Sequence, residues 1–486
     1  MQNNFTDKID KVEKMLSNWT YRYLTPFGKV TIIKTLGLSQ LSHIALVIPN
    51  PNKEMVKRIE NIFCAFVWSK KSEKVRREDC KLPVHSGGLG MPDILKFWTA
   101  FKFSWLRRIL KTEAFWPHIL LGEVSRLLDY QISVTDLLSL VASKLLEVSK
   151  GFRNPFWKQV LSARTPLTLG STFCYPEKIL NSPFFNNPLI VRRRPITTRD
   201  FPELNTKVSI MADFFYPGTK VLMEWNDFCT RYNVLISNEK FIDIRHCLKV
   251  ALQKLNLPLN RLLCVQYPVK PLLIDIATLC NKGCSAYYKI LIKKDTLSNK
   301  IHLRETKWHL ELNSHFSLDF WDKTRKLCAS VDFDNQLKWL QYQIVRNSLQ
   351  TNYIVSHFIA NVSPICSYCK IATSQEKISH LFWFCTKVNE FLGEVFEFIC
   401  STGLAYSPSK VQFLFGFLDK GFYQPQNFLS LIIKKYIWAT KFKTANLSMA
   451  GLKNLIKMYV SDLKIIFVLK KSPDYFDEWN TILNIL

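Results

Sequence analysis

Apolar positions in the first hundred residues recur at the three-and-four spacing of helices. Val30, Ile33, Leu36 and Leu38 make one such face behind Thr25-Pro26, a pair suited to capping a helix and opening its first turn. Lys53 to Trp68 predicts a second helix that buries Met55, Val56, Ile59, Ile62, Phe63 and Phe66 and leaves Lys53, Lys57 and Arg58 on or near the wet side. Asp93 caps a third, in which Ile94, Phe97, Trp98, Phe101, Trp105 and Ile109 face inward and Lys96, Lys102, Arg107 and Arg108 lie at or beside the rim. Between the second and third helices run the basic stretch SKKSEKVRR and the Gly87-Gly88-Leu89-Gly90 loop, whose glycines reach backbone angles that other residues resist.

Beyond residue 110 prolines punctuate short segments, at 155, 166, 176, 183, 188 and 195, and predict a connector. Helical patterning returns near Lys207 and continues through VLMEWNDFCTRY and EKFIDIRHCLKVALQKL. From Phe320 aromatics thicken, and amphipathic helices run from Lys387 through the basic KKYIWATKFK to the end. Strand-like alternation is scarce. The expected fold is mainly α, several helical modules with a small CCHC zinc-knuckle-like module, divided as 1–110, 111–200 (the connector), 201–319, 320–400 and 401–486.

Composition permits burial: of 486 residues, 48% are hydrophobic and 13% aromatic, unlike a disordered chain. Charge adds a partner. Lys and Arg outnumber Asp and Glu by 66 to 39, for a net charge of +27, and such an excess on a folded protein favours a polyanion, nucleic acid before an anionic membrane. No run of eighteen apolar residues occurs and the N-terminal segment is mixed-charge helix, so no membrane partner is expected. The phosphate-contact set expected from this charge is Lys53, Lys57, Arg58, Lys70, Lys71, Lys74, Arg76 and Arg77, with Arg107, Arg108 and Arg346 beside them. Gln341, Asn347, Thr351 and Asn352 share a polar stretch with Arg346; it reads either as phosphate, sugar or base contacts or as a solvated face. Trp68, Trp383 and Phe384 are candidates for stacking on bases or for core packing.

Chemistry concentrates in CSYCKIATSQEKISHLFWFC. Cys366, Cys369, His380 and Cys385 follow C-x2-C-x10-H-x4-C, and three thiolates with one imidazole complete a Zn²⁺ tetrahedron that leaves no position open for water, the mark of a structural site. The alternative is reduced core cysteines beside a satisfied histidine. Thirteen cysteines, an odd number and mostly scattered, argue against a disulfide framework and for a reducing compartment, with Cys280 and Cys284 read as core. Chelation is expected to unfold the stretch around 360 to 390 and spare the N-terminal region.

Three stretches together resemble LINE-type non-LTR retrotransposon reverse transcriptase polyproteins, in the portion beyond the polymerase palm. WTYRYLTPFGKVTIIKTLGLSQLSHI with NIFCAFVWSKK and GGLGMPDI is similar to their thumb region, KGCSAYYKIL is a weaker match to the linker, and LKWLQYQIVRNSLQTN with CSYC and HLFWFC is similar to the segment carrying the CCHC zinc knuckle. The resemblance implies that Cys366, Cys369, His380 and Cys385 ligate zinc and that the turn from Thr25 to Lys29 belongs to a template-primer clamp. It further implies that basic helices grip element RNA and target DNA during target-primed reverse transcription, with a separately encoded palm or other retroelement proteins as partners. The family's YADD-like turn has no counterpart, since no Asp-Asp dipeptide occurs, and neither palm nor endonuclease is expected in this chain. HExxH and the phosphate-cradling GxxxxGK[ST] are missing too, so no catalytic residue is assigned.

The expected function is a zinc-containing, RNA- and DNA-binding portion of such a reverse transcriptase, nuclear or cytoplasmic. A host-retained helical scaffold with structural zinc is one alternative. Part of an active RNA-directed DNA polymerase whose palm is encoded upstream is the other.

Overall fold

The computed structural model describes residues 2–109, 114–132, 134, 137, 142–163, 180, 183–187, 190–217, 219, 221–254, 283–296, 305–332, 334–421, 424–443 and 446–470. The chain is mainly α. In order come α1 (Gln2–Trp19), α2 (Pro26–Ile32), a π-turn (Ile33–Gly37), α3 (Leu38–Val47), α4 (Lys53–Trp68), α5 (Arg77–Lys81), α6 (Ile94–Ile109), α7 (Trp116–Leu128), α8 (Ala142–Gly151) and α9 (Pro155–Ser162). Then follow α10 (Trp225–Tyr232), α11 (Asn238–Lys254), α12 (Cys284–Thr296), α13 (Thr306–Leu312), α14 (Leu318–Ser330), α15 (Asn335–Val345) and α16 (Asn352–Ser356). A second π-turn (His380–Phe384) precedes α17 (Thr386–Ser401), α18 (Lys410–Phe415), α19 (Pro425–Thr440) and α20 (Met449–Lys470). Among the described residues the only β pairing is isolated bridges.

The predicted boundaries hold where capping chemistry is local. Thr25 Oγ1 accepts from Gly28 N at 3.3 Å and opens α2, α4 spans the predicted Lys53–Trp68, and Asp93 Oδ1 accepts from Lys96 N at 3.1 Å to cap α6. On α4, Val56, Ile59, Phe63 and Phe66 are buried, each worth about 1.5–3 kcal/mol when removed from water.

Two compact units form, neither continuous in sequence. The first comprises Met1–Ile9, Ser39–Ile59 and Asp93–Lys294. One of its cores joins Phe103 and Leu106 of α6 to Leu120, Val124, Val160 and Leu161, with Tyr287 of α12 stacked on Phe103 at 4.0 Å; a second gathers Phe184, Phe214, Phe228, Phe241 and Leu248. The described part of the proline-punctuated region carries α7, α8 and α9 and supplies buried residues to both cores. Asn154-Pro155 starts a helix there, because Asn154 Oδ1 accepts from Phe156 N at 2.9 Å and proline fills the first turn, where it has no amide to lose. Lys102 departs from its expected rim position: it is fully buried, and its ammonium donates to Ile48 O at 2.7 Å and to Ala45 O, two carbonyls at the end of α3.

The second unit comprises Asp10–Leu38, Glu60–Pro92 and Asp295–Leu486. Its main core joins Trp308, Trp321, Leu340, Ile344, Phe382, Val388, Phe415, Phe428, Ile432, Leu452 and Ile456. The glycine loop belongs to this unit and explains its own sequence. Gly87 and Gly90 take φ of 84° and 69°, and a Cβ on Gly88 would stand 2.0 Å from Leu82 O. Tyr342 of α15 donates to Gly87 O at 3.0 Å, so the loop is pinned from a distant helix.

One helical stretch, Pro26–Val47, has the length and apolarity of a membrane-crossing helix, although 39% of its apolar window is buried in the protein and it carries Lys29 and Lys34.

Candidate metal centre and basic surface

Two short turns bring the four ligand candidates together. Cys366 and Cys369 sit on a tight turn stabilised by Cys366 N to Ser374 O at 3.1 Å and Lys370 N to Cys366 O at 3.1 Å, with Lys370 at φ 52° and a bridge between Ile365 and Gln375 closing the hairpin. His380 opens the second π-turn and Cys385 ends it, its amide donating back to His380 O at 2.8 Å. That wider turn sets the two side chains on the same side as the hairpin, a known use of π geometry at functional sites.

One ligand atom from each of the four lies within 4.8 Å of every other. Cys366 Sγ is 3.7 Å from Cys385 Sγ, and Cys369 Sγ is 3.5 Å from His380 Nε2. Bond lengths of about 2.3 Å to sulfur and 2.0–2.1 Å to nitrogen place tetrahedral donors about 3.8 Å (S to S) and 3.6 Å (S to N) apart. The observed edges match both. These four residues can hold a metal ion, and the donor set is compatible with zinc.

Electrostatics prepare the donors. The sulfur-sulfur hydrogen bond holds the Cys385 thiol below its ordinary range and pushes Cys366 above it. Amides of Tyr368 and Cys369 point at Cys366, and the amide of Val388 points at Cys385, which caps α17 where the helix dipole favours a thiolate. Burial lowers His380, keeping its imidazole neutral and able to ligate.

Sequence reasoning missed the carboxylate behind this hairpin. Glu376 is fully buried; it accepts from Ser367 N at 2.8 Å and Asn352 N at 2.9 Å and pairs with Lys441 at the end of α19. Tyr368 OH donates to Ile437 O of α19 at 2.6 Å, so α19 holds the ligand turn twice. The sequence signal was a lone Glu four residues before His380.

The basic candidates divide. Lys53, Lys57, Arg58, Lys70, Lys71, Arg76 and Arg108 are exposed, while Lys74 and Arg77 are half-buried. Arg77 is engaged, 2.7 Å from Glu73 and 2.6 Å from Asn61 Oδ1. The side chain of Arg107, like Cys280, lies outside the described residues. Arg346 is a correction: it is 4% exposed and paired with Asp79 at 3.1 Å, so it cannot reach a phosphate at the surface.

Its polar neighbours also turn inward rather than to solvent. Gln341 donates to Leu414 O, Asn347 donates to Glu311, Asn352 donates to Ile365 O, and Thr351 is fully buried. The basic KKYIWATKFK is likewise partly internal, with Lys434 2% exposed and Lys441 paired to Glu376. Trp68 is core at 6% exposed, Trp383 is half-buried and Phe384 is exposed. No known protein family matches the chain, and no curated protein is similar to it.

Proposed function

We propose that the chain is a zinc-stabilised, polynucleotide-binding helical protein of the retroelement reverse-transcriptase type that its motifs resemble, serving the thumb, linker and knuckle roles. Zinc is held by Cys366, Cys369, His380 and Cys385; when bound it supplies a closed structural crosslink and no open position for chemistry.

The observation that carries the nucleic-acid reading is a group of amines without counter-charge. In the second unit Lys29, Lys70, Lys71 and Lys74 have no acidic partner among the described residues, and Lys71 pushes both Lys29 and Lys74 further below the usual lysine range that burial already depresses. Repulsion of this kind is offset when phosphates arrive and condensed counterions leave. Lys70, Lys71 and Lys74 reach the surface, and three phosphate contacts give a log-log salt slope of about −2 for single strands. Filter binding of single-stranded RNA across salt concentrations measures it; a slope near zero rejects the reading.

A helical scaffold with structural zinc is the second reading. It is favoured by burial of Trp68, Cys366 and Cys385 inside cores, which fits a metal used for folding. Salt-insensitive RNA binding alongside a stoichiometric zinc selects it.

A further inference from the structure

A groove of about 390 Å³ lies in the second unit between the end of α1 and the last two turns of α4, lined by Ser17, Thr20, Tyr21, Phe66, Ser69 and Lys70 among others. Two lining residues, Tyr21 and Lys70, and the ammonium of Lys29 behind the lining residue Ser69 are otherwise without purpose. Tyr21 is 88% exposed, and among the described residues its ring has no ring partner. Lys29 is 4% exposed, yet among the described residues its ammonium meets only the Ser69 hydroxyl, at 2.5 Å, and the face of Phe66, at 5.5 Å. An ammonium held out of water without a carboxylate is costly unless something anionic completes it. Lys70 then extends from the same wall, with Lys71 next to it in the chain and close enough to Lys29 to repel it.

Ser69 links the buried amine to the groove. Because its oxygen accepts from Lys29, its own hydroxyl proton is left to donate outward, so the wall presents a polarised donor beside the Lys70 ammonium. The groove also has a carboxylate, Glu13, two helical turns or about 10 Å before Thr20 on α1, with an interaction partner of its own. A ligand with an anionic group for the amines, a π-face for Tyr21 and amino donors for Glu13 fits this wall better than a simple anion, which Glu13 repels.

We infer that the groove is a nucleotide subsite for single-stranded polynucleotide: a phosphate meets Lys70 and the Ser69 hydroxyl backed by Lys29, and the base lies on Tyr21. This rests on the polynucleotide reading above and adds a place and a base-dependent contact to it. The test uses the full chain and two probes, a short single-stranded oligoribonucleotide and its fully abasic counterpart of equal length. Tyr21→Ala weakens binding of the base-bearing strand by about 5- to 150-fold, the loss of one stacked base, and leaves the abasic strand unchanged. Lys29→Met weakens both strands and leaves the thermal midpoint level or higher.

Wild-type affinity retained by Tyr21→Ala on the base-bearing strand, or an equal loss on both strands, overturns the subsite while the polynucleotide reading stands. Unaltered binding by Lys29→Met overturns the phosphate half. A wild-type chain that binds neither probe removes the polynucleotide reading itself, and the subsite with it.

Discussion

Glu376 shows how much a single buried residue can hold. Its carboxylate satisfies two backbone amides, one from the ligand hairpin and one from α16, and neutralises Lys441, whose side chain is 4% exposed. Glu376→Ala strands that ammonium and both amides together, and breaking a buried pair of this kind costs about 3–5 kcal/mol. Equilibrium denaturation of the variant against wild type reads that loss. Lys434 supplies a pH dependence of defined sign. It is buried among Gln341, Leu414 O, Phe413 and Cys328, and burial lowers its pKa from 10.5 to about 7. Between those values the unfolded chain binds the extra proton, so stability is lowest below about pH 7 and rises with pH toward 10.5. Denaturation midpoints taken over that window follow the rise, and Lys434→Met flattens it. Residues such as Lys102, Arg346 and Lys434 were illegible in sequence for one reason: a long cationic side chain looks solvated until its distant acceptor is known, and Asp79 lies 267 positions from Arg346.

Elements were legible where their causes are local. Thr25-Pro26, Asp93 and the stripe of α4 declare themselves within one or two turns; both caps form as read, and of the stripe Val56, Ile59, Phe63 and Phe66 are buried while Met55 and Ile62 are half-buried. The same locality gathered the metal ligands, since C-x2-C and H-x4-C each close through one turn. The proline-punctuated region misled because Asn154-Pro155 can end a segment or begin one, and the choice is made by the core that α9 joins through Val160 and Leu161. Two substitutions separate ordinary caps from demanding loops. Thr25→Ala removes one capping bond and costs about 1 kcal/mol by thermal or chemical unfolding. Gly88→Ala forces a methyl group against Leu82 O, where no flexible side chain can yield, and costs more than the cap, about 1–3 kcal/mol or above.

At the scale of the molecule, the sequence suggested a self-contained knuckle between residues 360 and 390, but Cys366 and Cys385 belong to the same core as Trp308, Leu340, Phe428 and Leu452. The expected result of chelation changes accordingly. Structural zinc in small domains is worth about 10–16 kcal/mol of apparent binding energy. Its removal, or Cys369→Ser, lowers amide-exchange protection in α15, α17 and α19 together instead of only around the ligand hairpin. Exchange confined to residues 360–390 counts against an integrated site. Interleaving has a similar origin. The second unit draws on residues 10–38, 60–92 and 295–486, a pairing that no local pattern announces.

Burial of the ligand sulfurs also sets an order of events during synthesis. All four ligands leave the ribosome before α19 and α20, whose Phe428, Ile432, Leu452 and Ile456 complete the core around Cys366 and Cys385. A metal ion taken up by these four residues would therefore have its freest access while the nascent chain is still growing, before the C-terminal helices close over Cys366 and Cys385.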